Sequence, residues 1–285
     1  MLSLFYQQSQ QISQLKISLS PPLMLTGLIA LIVLFILDAY GWVLILNTLG
    51  HHPSPLRSVR IWMISSIARY IPGGVWSYIS RADLARHEKI DLASLSISMW
   101  LEAVILASSS LAIGLPALMQ SNGLQFGPWH ALGAFLLFGL CMHPNSFSLL
   151  RFIPGRIGLA FATTKLPSAT QIFLLYCYYT LFWCLFGLSF VVFAHMISPL
   201  EYEQMILVGS SISLGFFAGF IVLFVPSGIG VREATLYFLL IPHMPEAQAL
   251  VLALSSRLWI MVGEIFSFML IEILYWISIR RDHKL

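Results

Sequence analysis

The chain has 285 residues, of which 58% are hydrophobic and only 9% charged, against roughly 25% charged in an ordinary soluble domain. With a mean hydropathy of +0.86, this composition excludes a water-soluble globule, and an aromatic content of 13% excludes a disordered chain. A net charge of +3 with no long basic run excludes a nucleic-acid partner. The class that remains is an all-α polytopic membrane protein.

Met1 to Ser20 is a polar, Gln/Ser-rich tail whose single charge is Lys16. No small-residue cleavage site follows the first apolar run, which is too long for a signal peptide, so residues 21–285 are expected to form a single transmembrane domain. A bilayer core takes about 20 apolar residues per helix. Leu23–Leu49 meets this with the one charge Asp38. Ile61–Ser80 is long enough but is interrupted by Arg69 and by Pro72-Gly73-Gly74. Leu92–Met119 carries Glu102, Trp129–Leu150 contains His143-Pro144, and Ala169–Ile197 is aromatic and uncharged. Gln204–Val225 ends at Pro226-Ser227-Gly228-Ile229-Gly230, Val231–Ile241 is too short to cross alone, and Ala247–Ile279 carries Arg257, Glu264 and Glu272. The expectation is six full spans plus two Pro/Gly-broken or re-entrant elements, about eight transmembrane elements in all.

The two breaks share a pattern, Tyr70-Ile71-Pro72-Gly73-Gly74-Val75 and Phe224-Val225-Pro226-Ser227-Gly228-Ile229, one in each half of the chain. Non-helical backbone at membrane depth must be buried in protein or line a wet cavity. A matched pair of broken segments points to a transport site between two inverted repeats; two ordinary helix ends with proline turns is the other reading. Ser211, Gly215 and Gly219 form a small-residue stripe, read as helix packing without chemistry.

Basic residues cluster in three places: Arg81, Arg86 and Lys89; Arg151, Arg156 and Lys165; and Arg280, Arg281 and Lys284. Gln120–Pro128 is uncharged, and Pro199–Glu203 has only Glu201 and Glu203. Basic loops face the cytoplasm, which places the C-terminus inside. If the Pro72 element crosses and the Pro226 region makes a down-and-up pair, the N-terminus is inside as well, but Arg57 and Arg60 then fall on the wrong side. If that element is re-entrant, the first span runs the other way.

Ionisable groups at membrane depth cost about 2.5–3.5 kcal/mol each on insertion scales, which makes them functional candidates by default. Here they are Arg69, Glu102, Arg232, Glu233, Arg257 and Glu264; interhelical ion pairing is the structural alternative for each. Asp38 and Glu272 are read as snorkelling towards headgroups. Cys141, Cys177 and Cys184 lie in apolar stretches with no metal-ligand spacing and read as packing residues. The histidines, among them His51, His52, His87, His130 and His283, match no metal motif, and no phosphate-binding loop or serine-nucleophile elbow occurs. No metal and no cofactor are expected.

Arg69-Tyr70-Ile71-Pro72-Gly73-Gly74-Val75-Trp76 followed by Arg81 resembles the K/R-Y-x-P-G-G-x-W…R signature of the lysylphosphatidylglycerol synthase transmembrane-region family. Pro226-Ser227-Gly228-Ile229-Gly230-Val231-Arg232-Glu233 is similar to its second signature, P-G-G-x-G-x-R-E, with Ser227 in place of a glycine. Glu102 and Arg257 also fall where that family places a membrane glutamate and a late-helix arginine, and Ala103 stands where a basic residue often follows the glutamate.

The resemblance implies lipid handling. In the multiple peptide resistance factor this region moves aminoacylated phosphatidylglycerol between leaflets while a separate soluble domain makes it. With the sequence ending at Leu285, the expectation is the stand-alone flippase-like form, in the plasma (inner) membrane of a prokaryote. Relatives beside glycosyltransferases and isoprenoid-lipid pathways make a lipid- or glycan-synthesising enzyme the expected protein partner, and oligomerisation stays open. The expected substrate-binding set is Arg69, Tyr70, Pro72, Gly73, Gly74, Trp76, Arg81, Glu102, Pro226, Gly228, Gly230, Arg232, Glu233, Arg257 and Glu264. The arginines would hold phosphate oxygens, the breaks would offer backbone N–H groups at half-helix N-termini, and the glutamates would pair the arginines or meet a cationic headgroup. A lipid-modifying enzyme using Glu102 or Glu264 as acid or base, and a non-transporting partner of a lipid-modifying enzyme, are the alternatives.

Overall fold

A computed structural model describes residues 20–71, 75–88, 90–121, 129, 130, 132, 133, 136, 155, 164–197, 199–222 and 225–282. The described residues are overwhelmingly helical and include no strand, as an all-α membrane protein requires. Among the described residues the eight α-helices are α1 (Pro21–Thr48), α2 (Pro55–Ile67), α3 (Trp76–Ala85), α4 (Leu92–Ser121), α5 (Ala169–Ile197), α6 (Tyr202–Ile221), α7 (Val231–Leu240) and α8 (Glu246–Asp282). Short 3-10 turns at Ala68–Tyr70 and Pro226–Gly228 follow α2 and precede α7. Among the described residues five helices, α1, α4, α5, α6 and α8, are long and apolar enough to cross a membrane. The expected span Trp129–Leu150 and the loop Gln120–Pro128 lie largely outside the described residues, as does Arg151–Lys165.

Sequence explains where the helices start. Prolines occupy the first positions of α1 and α2, where the missing N–H has no intrahelical partner to lose. The Glu201 side chain caps the third residue of α6, and Gln204 Oε1 accepts from the Glu201 N–H at 3.0 Å, a reciprocal box that satisfies two orphan donors.

Ile61–Ser80 is not one crossing helix. With 13 and 10 residues, α2 and α3 reach only about 20 and 15 Å, short of a bilayer core of about 30 Å. They fold back on each other instead. Arg57 Nη1 lies 3.9 Å from Glu88 Oε1 and Arg81 Nε donates to Ser65 Oγ at 3.1 Å, so each step forward along α2 is met by a step backward along α3. His51 and Asp91, on either side of the pair, approach to 3.3 Å. Chain enters and leaves this first hairpin at one end of the molecule, and Arg57, Arg60 and Arg86 share that end, which removes the conflict in the charge distribution.

The Pro226 region forms the second hairpin. Gln204 Nε2 donates to the His243 carbonyl at 2.9 Å, the Gly215 backbone faces Leu236, and Gly219 abuts Gly228, again an antiparallel pairing. The small-residue stripe is its packing seam, as read from the sequence.

The hairpins open at opposite ends. Leu95 and Met99 of α4, Trp42 and Leu46 of α1, and Ile271 of α8 share a core with Val59, Trp62 and Ala85 of the first hairpin. The other ends of the same helices, at Ala117, Leu31 and Ala249–Ala253, share a core with Leu207, Leu236 and Met244 of the second. Helices α1, α4 and α8 thus run the length between two hairpins pointing at each other, and the turns Ala68–Tyr70 and Pro226–Gly228 touch. Free thiols occur on α5 at Cys177 and at exposed Cys184; Cys141 lies outside the described residues.

Candidate functional site

The turns Ala68–Tyr70 and Pro226–Gly228, beside the two breaks, meet in a ring of charge. From the first hairpin, Arg69 Nη2 lies 3.0 Å from Glu264 Oε1 on α8, and Tyr70 donates its O–H to Glu264 Oε2 at 2.7 Å. Arg81 forms an ion pair with Glu102 on α4, whose other oxygen accepts from the Trp62 indole. From the second hairpin, Glu233 lies 3.4 Å from Arg257 on α8, and Arg257 also reaches the Ser227 carbonyl at 3.4 Å. Each pair joins a hairpin to a through-helix. Burial inside lipid-facing helices makes such pairs costly to break, at about 3–5 kcal/mol for an uncompensated partner.

Within this ring the arginines differ. Arg81 is 6% exposed, lies 5.2 and 5.3 Å from the rings of Trp42 and Trp62, and donates to both Ser65 and Glu102; its guanidinium is held on every side. Arg69 and Arg257 each have one carboxylate. Arg232 has none: among the described residues it is in no ion pair, its Nε is buried without a partner, and it lies 4.4 Å over the Phe216 ring. Two glycines create its path. A Cβ on Gly219 would sit 2.7 Å from Arg232 Cγ, and one on Gly228 would sit 2.8 Å from Gly219 Cα and 3.2 Å from Arg232 Nε. Gly228 has φ +64, a conformation that glycine adopts without a Cβ clash. Ser227, where the resembling signature has glycine, adopts the same left-handed region, with φ 52 and ψ 20.

Two inner cavities flank Arg232. One, of about 180 Å³, is lined on its polar side by Ser66, Ser77, Tyr78, Arg81 and Glu102, with room for several waters. The other, of about 60 Å³, is mainly apolar, with Phe35, Phe182, Trp183, Phe186 and Ile212. Asp38, Arg69, Phe216, Ser227 and Arg232 line both. Asp38 therefore does not snorkel: it is 8% exposed, and its Oδ1 has no hydrogen-bond partner. Glu272 does not snorkel either, because Arg60 grips both its oxygens at 2.7 and 3.2 Å.

Of the residues expected to bind substrate, the structure gathers Arg69, Tyr70, Arg81, Glu102, Gly228, Arg232, Glu233, Arg257 and Glu264 around these cavities. Trp76 is elsewhere, in an outer groove with Ile79 and Arg86. Gly230 caps α7 with φ 82, and its N–H donates to Glu233 Oε2 at 2.6 Å. The N–H that a bound anion was expected to use there is already taken by a carboxylate of the chain itself. Pro72, Gly73 and Gly74 lie outside the described residues; Pro226 begins the second turn. Sequence reasoning missed Asp38 as part of the site. Its place, ten residues before the end of the 28-residue α1, was the available signal, since that depth is beyond the reach of a short aspartate to a headgroup. Among the described residues no group of three or more metal-ligating side chains occurs.

No curated protein and no solved structure matches the chain. A family model does, over residues 2–263, nearly the whole length and both breaks: the chain belongs to the family of the lysylphosphatidylglycerol synthase TM region.

Proposed function

We propose that this membrane protein moves an anionic or aminoacylated phospholipid between leaflets, with its headgroup passing the meeting point of the two hairpins. The observation that carries this reading is Arg232, a cation at the shared wall of a more polar and a more apolar cavity and, among the described residues, with no carboxylate of its own. A desolvated guanidinium without a counter-ion is costly. A lipid phosphate supplies that counter-ion through charge-assisted hydrogen bonds, while the aromatic cavity offers an apolar surface to the adjoining chain. In this reading the lipid is moved and not altered, so mass spectrometry of the recovered lipid should find it unchanged.

The charge distribution supports a sidedness. Arg57, Arg60 and Arg86 lie at the mouth of the first hairpin, and Arg280 and Arg281 follow Glu272 at the same end; Glu201, Glu203 and Glu246 lie at the other. The basic end is taken as cytoplasmic, which puts the C-terminus inside and the start of α1 outside. The arrangement with both termini inside required the Pro72 element to cross.

The test is reconstitution into phosphatidylcholine vesicles with fluorescent phosphatidylglycerol in one leaflet and no ATP. The protein should speed movement between leaflets. Arg232→Gln should lower that rate by roughly 10- to 100-fold, the equivalent of a charged hydrogen bond of about 1.5–3 kcal/mol, with thermal stability in detergent close to that of the parent. A folded and fully active Arg232→Gln removes Arg232 from the path, and equal rates with and without protein, across several headgroups, remove the transport reading.

A further inference from the structure

Asp38 has no role in the reading above, yet it lines the same wall as Arg232. It projects from α1, is more than nine-tenths buried, and is in no ion pair among the described residues; its Oδ1 faces no donor. The charged groups around it are Arg69 from the first break, Arg81 from α3, Glu102 from α4 and Glu264 from α8. Tyr178 and Tyr179 face it from α5, but Tyr178 gives its O–H to the Leu37 carbonyl. Arg232 joins this group across the two cavities.

The charges close with these groups. Arg69, Arg81 and Arg257 are each neutralised by Glu264, Glu102 and Glu233. What is left among the described residues around the cavities is one unpaired cation, Arg232, and one unpaired carboxyl, Asp38. With the cavity empty and Asp38 ionised, the cluster is neutral. An anion on Arg232 adds one negative charge in a space where uncompensated charge is strongly disfavoured. The group able to restore neutrality without breaking an existing ion pair is Asp38, by taking a proton onto its free Oδ1.

We propose that Asp38 is a proton-binding site coupled to Arg232, so that one anionic headgroup and one proton are bound, carried and released together. The step makes one O–H bond, at Asp38 Oδ1, with the proton drawn from and returned to water, and no oxidant or other reactant is involved. The transported unit is electroneutral, and a pH difference across the membrane drives lipid towards the alkaline side. This rests on the lipid-moving reading and adds its energy source.

The deciding measurement is proton uptake in weak buffer with a pH dye, as phosphatidylglycerol is added to the purified full chain in detergent between pH 5 and 8. Uptake should approach about one proton per lipid bound at its peak, with affinity rising up to about tenfold for each unit of pH lowered across that window. Phosphatidylcholine should release no such uptake. Binding with no proton uptake overturns the coupling and leaves the transport reading standing, whereas no binding of phosphatidylglycerol removes the reading on which it rests. Asp38→Asn should abolish the uptake and the response of vesicle transport to a pH gradient, and Asp38→Glu should restore both. Full uptake in a folded Asp38→Asn assigns the proton to another group and overturns the proposal; if that variant does not fold, the pH profile of uptake in Asp38→Glu decides, and a profile identical to the parent's overturns it.

Discussion

The two hairpins have the same course and opposite construction. The first is pinned by charge: Arg60 to Glu272, Arg69 to Glu264 and Arg81 to Glu102 fasten it to α8 and α4 at three heights. The second is packed by small residues, with Gly215 and Gly219 against α7, and among the described residues it has a single acid–base contact, at 3.4 Å to α8, and one arginine outside any ion pair. Ion pairs in a low-dielectric interior have few alternative geometries, because separating the partners strands both. Glycine seams lack that restriction. The difference suits the first hairpin to be a fixed wall and the second, with Arg232 outside any ion pair among the described residues, to be the more adjustable one.

The contrast can first be broken by topology, an all-or-none effect. In a background lacking the three native cysteines, single cysteines at Ser54 and His87 should react with an impermeant thiol reagent from the same side of the membrane, and one at Tyr202 from the opposite side. Labelling of Ser54 and His87 from different sides would mean that the first hairpin crosses. Next in size is Glu102→Gln, which strands Arg81 between two tryptophans; it should cost about 3–5 kcal/mol, read by chemical unfolding in mild detergent. A loss below about 1 kcal/mol would remove the fixed-wall description. Gly219→Ala places a methyl 2.7 Å from Arg232 Cγ and should cost about 1–3 kcal/mol by overpacking, with slower lipid movement because the guanidinium is displaced. Smallest is Ser227→Gly. Relief of the left-handed serine should stabilise the protein by about 1 kcal/mol, seen as a higher melting temperature; an unchanged or lower one would mean that the serine side chain itself holds the turn.

Hydropathy alone located α1, α4, α5, α6 and α8, because twenty consecutive apolar residues have few uses outside lipid. It did not show that Ile61–Ser80 turns back, since two short arms add up to the length of one span. Charge had the missing information: Arg57 and Arg60 fit the inside rule only when the segment is re-entrant. The lining of the cavities was legible where polar residues sit beside the breaks, as at Arg69 and Arg232. Partnerships such as Arg60 with Glu272, 212 positions apart, are set by the packing of α2 on α8 and leave no local pattern. Asp38 was misplaced for a related reason, since hydropathy does not tell a buried helix face from a lipid-facing one.

The distance between partners also sets a timetable for synthesis. Glu102 leaves the ribosome 21 residues after Arg81, but Glu272 follows Arg60 by 212 and Glu264 follows Tyr70 by 194. At about 5–20 residues per second, the clamp to α4 is available within a few seconds, whereas the clamps to α8 wait for roughly 10–40 s. Through that interval the nascent first hairpin carries Arg60 and Arg69 without their acids. It must stay near water or beside a membrane-insertion factor, and it docks only when the last helix arrives.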